Sequence, residues 1–589
     1  MRGKLHYNAS KHMTTSHYRY LTALTLAGAL VLMTACTQTK TTTSGPPLAH
    51  LEKRGAVTHL IVNGKPYLAL AGELLNNAAS TAENARPAWP KLAKANVNTA
   101  LVGVGWGWTE PEEGKFDFSA LDGALRDARA ADLHVVLLWF GSWKNGTSSY
   151  PPAWVKRNPD KYPVAQDKDG KGREILSTLS ATNRDADARA YAAVMRHVHE
   201  VDGATGTVIM VQMENEVGVL GDTRDRSKEA NAAFAAPVPQ ELTDYLQKNK
   251  GNLLPETRKL WESAGGKTSG TWEEVFGKGN STDETFMAWH YATYMNYIAA
   301  MGKKEYPVPV YVNAWLVQPQ DKKPGDYPSG GPQSQNHDIW RAGAPQIDIL
   351  SPDIYLTNFA EVATTYSRNG NPLFIPETRG DPANAFYAFG QLNAQMFSPF
   401  GIEVRVSDEG PFAKAYGVLG QLAPLILEHQ ENGTIKAVMV EPGSAPQKVQ
   451  LGNYVFDAAM GRGWGAPPPV PPPAPAAPGG QPVKSTAGVP VTTNPFGPPP
   501  AKGYAIMIQT GPDDFYVAGS NLNIKLASTI GDKPMASLAS VQEGHFENGA
   551  WVVQRHLAGD DIGMGGDDRA SLSLRDNPTI LRISLYSYK

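Results

Sequence analysis

The chain has 589 residues, with 54 Lys and Arg against 57 Asp and Glu, a formal net charge of −3. That length exceeds one compact core and predicts two or three domains, one large enough for a barrel of about 250 residues or more; 41% hydrophobic and 9% aromatic residues exclude a globally disordered chain. The balanced charge offers no concentration of Lys and Arg for phosphate binding, which excludes nucleic acid as the expected partner and favours neutral or small ligands.

The first element reads as an export signal. After a basic and polar start, the apolar run Leu21 to Met33 is marginal for a membrane span and is followed by Thr34-Ala35-Cys36. Met33-Thr-Ala-Cys36 resembles the bacterial lipobox, whose Cys becomes the lipidated first residue of the mature protein. Cys36 is the chain's only cysteine, so neither an intrachain disulfide nor a Cys-based metal site can form. Residues 1–36 are therefore expected to be a lipoprotein-type signal peptide, with Met13 an alternative start, and residues 37–50 a flexible tether rich in Thr. Thr37, in place of an acidic residue, points to an outer-membrane lipoprotein held by its lipid anchor alone. The alternative is an ordinary secretory signal and a periplasmic protein.

From residue 51 to 405 short apolar runs alternate with helical patterns. Leu60 to Ala71 is the first strand candidate. Val97–Val104, a helix with Leu121, Ala124, Leu125 and Ala128 on one face, and Leu133–Trp139 form a βαβ unit. A helix presenting Ala188, Tyr191, Met195 and Val198 leads into Thr207–Gln212. Further strands are expected at Pro309–Trp315, Ile347–Tyr355, Pro372–Glu377 and, less regularly, Phe386–Phe397. Eight strand–helix units predict an α/β fold, a (β/α)8 TIM barrel with its functional residues at the C-terminal strand ends. The competing doubly wound sheet lacks a Gly-rich loop after its first strand. Residues 406–589 turn to shorter β-rich segments such as Ala437–Val440, Gly503–Gln509, Asp514–Ala518 and Thr579–Leu585, which predict a β-sandwich-like domain. The Pro-rich stretch 465–500 reads as a loop inserted in it.

Two carboxylates sit where apolar runs meet polar residues: Glu216 in Val211-Gln-Met-Glu-Asn-Glu-Val-Gly218, and Glu377 in Pro372-Leu-Phe-Ile-Pro-Glu-Thr-Arg-Gly-Asp381. On this strand count they close the fourth and seventh strands of one rim. A converging carboxyl pair is what glycosidic cleavage requires, one protonating the leaving oxygen and the other attacking carbon or activating water. Side-chain alternation leaves Glu214 and Glu216 as equal candidates. Rim aromatics Trp106, Trp108, Trp143 and Trp315 are candidates for stacking on sugar faces or for core packing. Phe286, Trp289, Tyr294 and Tyr297 fall in a helical stretch and read as packing residues. Metal chemistry is not expected: His197 and His199 lie two apart on a helix, unlike a zinc-binding pair, and the acidic residues Asp560, Asp561, Asp567 and Asp568 read as solvated turns. No cofactor motif is found, and nothing fixes the oligomeric state.

Gln212-Met-Glu-Asn-Glu-Val-Gly218 resembles the acid/base motif of glycoside hydrolase family 35, the β-galactosidases. Trp106-Gly-Trp-Thr-Glu-Pro-Glu-Glu-Gly-Lys-Phe-Asp-Phe118 looks like that family's second-strand signature, and the likeness spans most of Ala56 to Glu403. The resemblance implies a retaining mechanism with Glu216 as acid/base and Glu377 as nucleophile, Asn215 on the sugar 2-hydroxyl and Tyr355 beside the nucleophile. Glu73, in Gly72-Glu-Leu-Leu75, resembles the family's Gly-Glu, with ligand binding and a structural hydrogen bond as its two readings. The family's galactose-holding segment after the third strand is replaced here by Leu138-Trp-Phe-Gly-Ser-Trp-Lys-Asn145, leaving Asn145, Trp143 and Lys144 as candidate contacts. This segment, with Phe397-Ser-Pro-Phe-Gly-Ile402 and Ile508-Gln-Thr-Gly-Pro-Asp-Asp514, is similar to a bacterial subgroup with one C-terminal β domain, some of whose members act on galactosylated xyloglucan. What the resemblance implies is an exo-acting β-galactosidase on oligosaccharides. The alternatives are a retaining β-glycosidase of other specificity and a non-catalytic carbohydrate-binding surface lipoprotein.

Overall fold

The computed structural model describes residues 45–407, 409–461, 501–562 and 570–589. The signal segment with Cys36, tether residues 37–44, the Pro-rich stretch 465–500, and Asp567 and Asp568 lie outside them. No helix among the described residues is long and apolar enough to cross a membrane.

Eight parallel strands close a barrel in chain order: β1 (Ala69–Glu73), β2 (Thr99–Gly105), β3 (His134–Lys144), β4 (Val208–Asn215), β5 (Val310–Trp315), β6 (Ile349–Ile354), β7 (Phe374–Thr378) and β8 (Met396–Pro399). Each is followed by a helix: α1 (Ala88–Lys94), α2 (Ser119–Ala130), α3 (Ala181–Asp202), α4 (Asn280–Glu305), α5 (His337–Gly343), α6 (Phe359–Tyr366), α7 (Pro382–Gln391) and α8 (Pro411–Asn432). The strands are apolar on both faces because both are covered. Along β3, Val136, Leu138 and Phe140 fill the barrel interior, while Val135, Leu137 and Trp139 face the helices.

The expected first strand, Leu60–Ala71, is two elements. Asn63 and Gly64, with φ of 52° and 74°, make the tight turn of a hairpin. An antiparallel sheet of His50–Arg54, Val57–Val62 and Lys65–Tyr67 results, and β1 begins only at Ala69. Leu60 and Val62 cluster with Tyr311, Ile349, Phe374 and Met396 near the strand N-termini, closing that mouth of the barrel. The expected strand Phe386–Phe397 begins as the second half of helix α7, and only Met396 and Phe397 at its end belong to a strand, β8. Asp381 caps α7, its carboxylate accepting from Ala383 N–H, and Pro382 stands at the first position. Helix α8 extends the barrel beyond residue 405: the Tyr416 hydroxyl is bonded to the carbonyls of Ala71 and Phe397, tying α8 to β1 and β8.

The C-terminal strands are β9 (Ile435–Val440), β10 (Gln447–Leu451), β11 (Tyr454–Met460), β12 (Gly503–Gln509), β13 (Asp514–Ser520), β14 (Leu522–Ser528), β15 (Met535–Glu547), β16 (Ala550–His556), β17 (Ser571–Leu574) and β18 (Thr579–Tyr588). They form two antiparallel sheets, β9-β12-β13-β18-β15-β16 and β10-β11-β14-β17. Val438, Phe456, Phe515, Ile524 and Leu581 fill the space between the sheets. On the other face of the larger sheet, Ala437, Tyr504 and Ile506 join the barrel core. This double burial explains why β9 from Ala437 to Val440 and β12 from Tyr504 to Ile508 show no polar alternation.

Candidate active site

At the C-terminal rim, four carboxyl groups come from four strand ends: Glu73 of β1, Glu216 directly after β4, Asp353 of β6 and Glu377 of β7. Asp353 is paired in register with Trp315 of β5 on one side and Glu377 on the other.

Glu214 and Glu216 do not share a face, because alternation fails at this end of the barrel. Both have φ in the left-handed region, 56° and 47°. Pairing between β3 and β4 jumps from Trp139–Met213 to Lys144–Asn215, so β3 bulges. The bulge turns its backbone toward Glu214, whose carboxylate accepts N–H groups of Gly141, Ser142 and Trp143 at 3.0, 2.9 and 2.8 Å. Asp187 of α3 lies against the same carboxyl and also accepts the Trp139 indole N–H at 2.9 Å. Glu214 thus fixes the shape of β3, and Glu216 is the one beside Glu377.

An amide relay links the groups. Asn215 Oδ1 accepts from Gln212 Nε2 and Asn313 Nδ2, each at 3.0 Å, while Asn215 Nδ2 donates to Asn145 Oδ1 at 3.0 Å. With its oxygen so occupied, the Asn215 amide has one N–H left for a ligand. Asn313 also donates to Asp353 Oδ2 at 2.7 Å and accepts the Glu216 backbone N–H at 3.1 Å. The Tyr355 hydroxyl donates to Glu377 Oε1 at 2.6 Å. Glu377 Oε2 and Glu73 Oε1 are buried without a donor among the described residues.

Burial, and next the charge of Glu377, push the Glu216 carboxyl up to about 8, with the Lys144 ammonium opposing. Burial and the same neighbour hold Glu73 and Asp353 well above the ordinary carboxyl range. The Asp353 and Glu216 carboxyls lie close enough to perturb each other, which favours a proton on one of them. Burial, then Glu377, also keep the Tyr355 phenol protonated, so it remains a donor. At neutral pH the hollow therefore offers a protonated Glu216 beside a Glu377 with one oxygen held and one free.

Asn215, Asn145, Tyr355, Lys144 and Glu73 all join this cluster, and Trp315 stands partly exposed at its edge. Two candidate contacts do not. Trp143 is wholly buried, its indole donating to the Leu176 carbonyl and its ring packed edge-on against Tyr291 and Tyr294. Trp106 is also wholly buried and bonded to Glu110 at 2.7 Å. Neither ring is open to a sugar. Phe286, Trp289 and Tyr294 are buried as expected of packing residues, whereas Tyr297 is exposed beneath Arg184. Among the described residues no group of acidic, His or Cys side chains could hold a metal. Sequence reasoning missed Asp353 and Asn313; the signal for both is a polar residue inside an apolar strand, in Val310-Tyr-Val-Asn-Ala-Trp315 and Ile349-Leu-Ser-Pro-Asp-Ile354.

Residues 79–304 match the Glyco_hydro_42 family model, described as Beta-galactosidase. The chain is similar to β-galactosidase-type glycoside hydrolases. Family 35 is not the family whose model matches. Residues 412–566 match DUF5597, a domain of unknown function. No curated protein matches the chain. Solved structures similar to it include β-galactosidase from the psychrophilic Marinomonas ef1, at 14% identity and a TM-score of 0.41 over 61% of this chain and 60% of that one. A β-galactosidase from Bacillus circulans sp. alkalophilus has 14% identity and a TM-score of 0.41 over 61% and 57%. The catalytic domain of a Paenibacillus polymyxa β-amylase has 13% identity and a TM-score of 0.37 over 57% and 93%. The chain thus matches about 60% of the first galactosidase's length.

Proposed function

We propose that the protein is a retaining, exo-acting β-glycosidase that releases terminal β-linked galactose from oligosaccharides. The observation that carries this reading is the buried Glu216, which keeps its proton at neutral pH, next to the phenol-braced Glu377. Glu377 attacks the anomeric carbon as the bond to the leaving oxygen breaks and Glu216 passes its proton to that oxygen. A glycosyl ester of Glu377 forms. Glu216, now a carboxylate, takes a proton from water, whose oxygen displaces Glu377 and restores both groups. The free Asn215 N–H serves the sugar 2-hydroxyl. Lys144, Asn145 and Glu73 hold further hydroxyls, and Trp315 borders the sugar face.

A cleft of about 560 Å3 beside the β1 and β8 ends, lined in part by Asn76, Asn77, Asn84, Lys91 and Glu403, provides polar room for the rest of an oligosaccharide. Galactosylated xyloglucan fragments are the proposed substrate within this class, and an outer-membrane lipid anchor at Cys36 the proposed address. The test is incubation with a panel of aryl β-glycosides and xyloglucan oligosaccharides, followed by trapping with a 2-deoxy-2-fluoro-β-galactoside. Galactose of retained configuration and a label on Glu377 are expected. Binding without cleavage of any member would replace the enzyme by a carbohydrate-binding protein, and faster release of another sugar would change the specificity.

Asp353 has a separable part. Its Oδ2 accepts from Asn313 and its other oxygen faces Glu216, and an amide can take the same place with its oxygen toward Asn313 and an N–H toward Glu216. Asp353→Asn is expected to keep kcat/KM within about threefold. Asp353→Ala removes a donor to the charged form of Glu216, so the alkaline limb of the pH profile moves up by about one unit, the worth of one charge-assisted hydrogen bond. Profiles of the two variants that coincide would remove this role.

A further inference from the structure

Helix α7 begins immediately past the Glu377 segment, and the C-terminal domain grips it from end to end. At its start, Lys502 of the loop before β12 places its ammonium 3.0 Å from Asp381 Oδ2, with both side chains 5% exposed. The same ammonium donates to Asn384 Oδ1 at 3.0 Å and lies 3.4 Å from Glu441. In the middle of α7, Phe386 meets Tyr504 of β12 with ring centroids 4.8 Å apart. Near its end, a Cβ added to Gly390 would come within 2.7 Å of Ile506 and 2.8 Å of Ala437, so the sheet and helix touch backbone to side chain. Gln391 Oε1 accepts the Ala437 N–H at 3.3 Å.

Asp381 is therefore held by two masters. Its Oδ1 caps α7, its Oδ2 takes Lys502, and its own N–H is bonded to the Arg379 carbonyl at 2.8 Å. On the barrel side the segment is pinned by the Thr378 hydroxyl, which donates to the Ile354 carbonyl of β6 at 2.7 Å, and by the Phe400 N–H, which donates to the Thr378 carbonyl at 3.0 Å. Glu377 to Asp381 is thus a short span fixed at both ends, and Lys502 holds the Asp381 side chain from outside the barrel. A buried ammonium is costly unless paired, and Lys502 is paired here with Asp381, Asn384 and Glu441, so its removal leaves the Asp381 carboxylate buried without its cation.

We propose that the C-terminal β domain sets the position of the nucleophile, with Lys502 as the positioning residue that anchors Asp381 and, through the Glu377–Asp381 span, the Glu377 carboxyl. This rests on the reading of Glu377 given above, and it assigns a task to the segment that matches a domain of unknown function.

The test is Lys502→Met and Lys502→Arg in the full chain, assayed with an aryl β-glycoside well below the melting temperature of each variant. Lys502→Met is expected to lower kcat at least tenfold with KM within threefold, and Lys502→Arg, which keeps the pair, to restore most of it. Hydrogen exchange is expected to quicken about tenfold or more in peptides covering 377–391 and to stay unchanged in β2 and β3. Should Lys502→Met not fold, Asp381→Asn keeps the helix cap and weakens the pair, with the same direction expected in both readouts. An unchanged kcat in a folded variant, or unchanged exchange at 377–391, overturns the proposal. Failure of the Glu377 reading shows itself separately, as a wild-type protein without turnover while the exchange result still stands.

Discussion

Glu377→Gln is expected to abolish turnover of an aryl β-galactoside, with a loss of at least about 10^4-fold in kcat, on the scale seen when a covalent nucleophile is removed. The amide is nearly isosteric, so Tyr355 and the Asp353 register are preserved and the protein melts close to wild type. What disappears is the negative oxygen that forms the bond to carbon. In Glu377→Ala, which vacates the space of the carboxylate, added azide is expected to restore part of the rate with a glycosyl azide of inverted configuration. A variant that turns over at the wild-type rate would falsify the assignment of the nucleophile.

Glu216→Gln separates the two halves of the reaction. A substrate whose leaving group needs no proton still forms the glycosyl ester, so a burst appears and the slow step becomes hydrolysis of the ester; with an alkyl leaving group about 10^3-fold or more is lost. In wild type, kcat/KM is expected to fall tenfold per pH unit above about 8, since only the protonated acid is competent. That limb vanishes in the variant. Stability is linked to the same proton. The folded value of about 8 lies above the ordinary 4.5, so between these the folded state holds a proton that the unfolded chain releases, and stability falls as pH rises through the window. Gln has no such proton to lose. The variant should therefore gain on wild type by on the order of a few kcal/mol at pH 8 and by almost nothing at pH 5. Melting curves at the two pH values measure the difference, and equal shifts at both would refute it.

The barrel was legible because its strands are buried on both faces and so stand out as apolar runs; β2 to β7 lie where those runs are. The misreadings occur where a short polar signal overrides the run. Asn63-Gly64 breaks what looked like one strand into a hairpin edge and β1, and Asp381-Pro382 converts aromatic-rich Phe386 to Phe389 into helix. The positions of Glu216 and Glu377 on one rim follow from the apolar-to-polar step at each strand end. Trp143 stayed open between sugar stacking and core packing because the sequence does not show the β3 bulge between Trp139 and Lys144, and its buried ring decides for packing. Asp353 and Asn313 escaped because a lone polar residue in a strand says that it is satisfied by something, and only the three-dimensional neighbours say by what.

The small sheet beneath the barrel has one more bearing on the chemistry. With Leu60 and Val62 packed under the interior, the hollow has a floor, and the C-terminal rim is its doorway. In the proposed reaction, the departing aglycone clears that doorway before water reaches the sugar ester. A second saccharide waiting at the same threshold competes with water for it, so at high substrate concentration chain-lengthened products should accumulate alongside free monosaccharide.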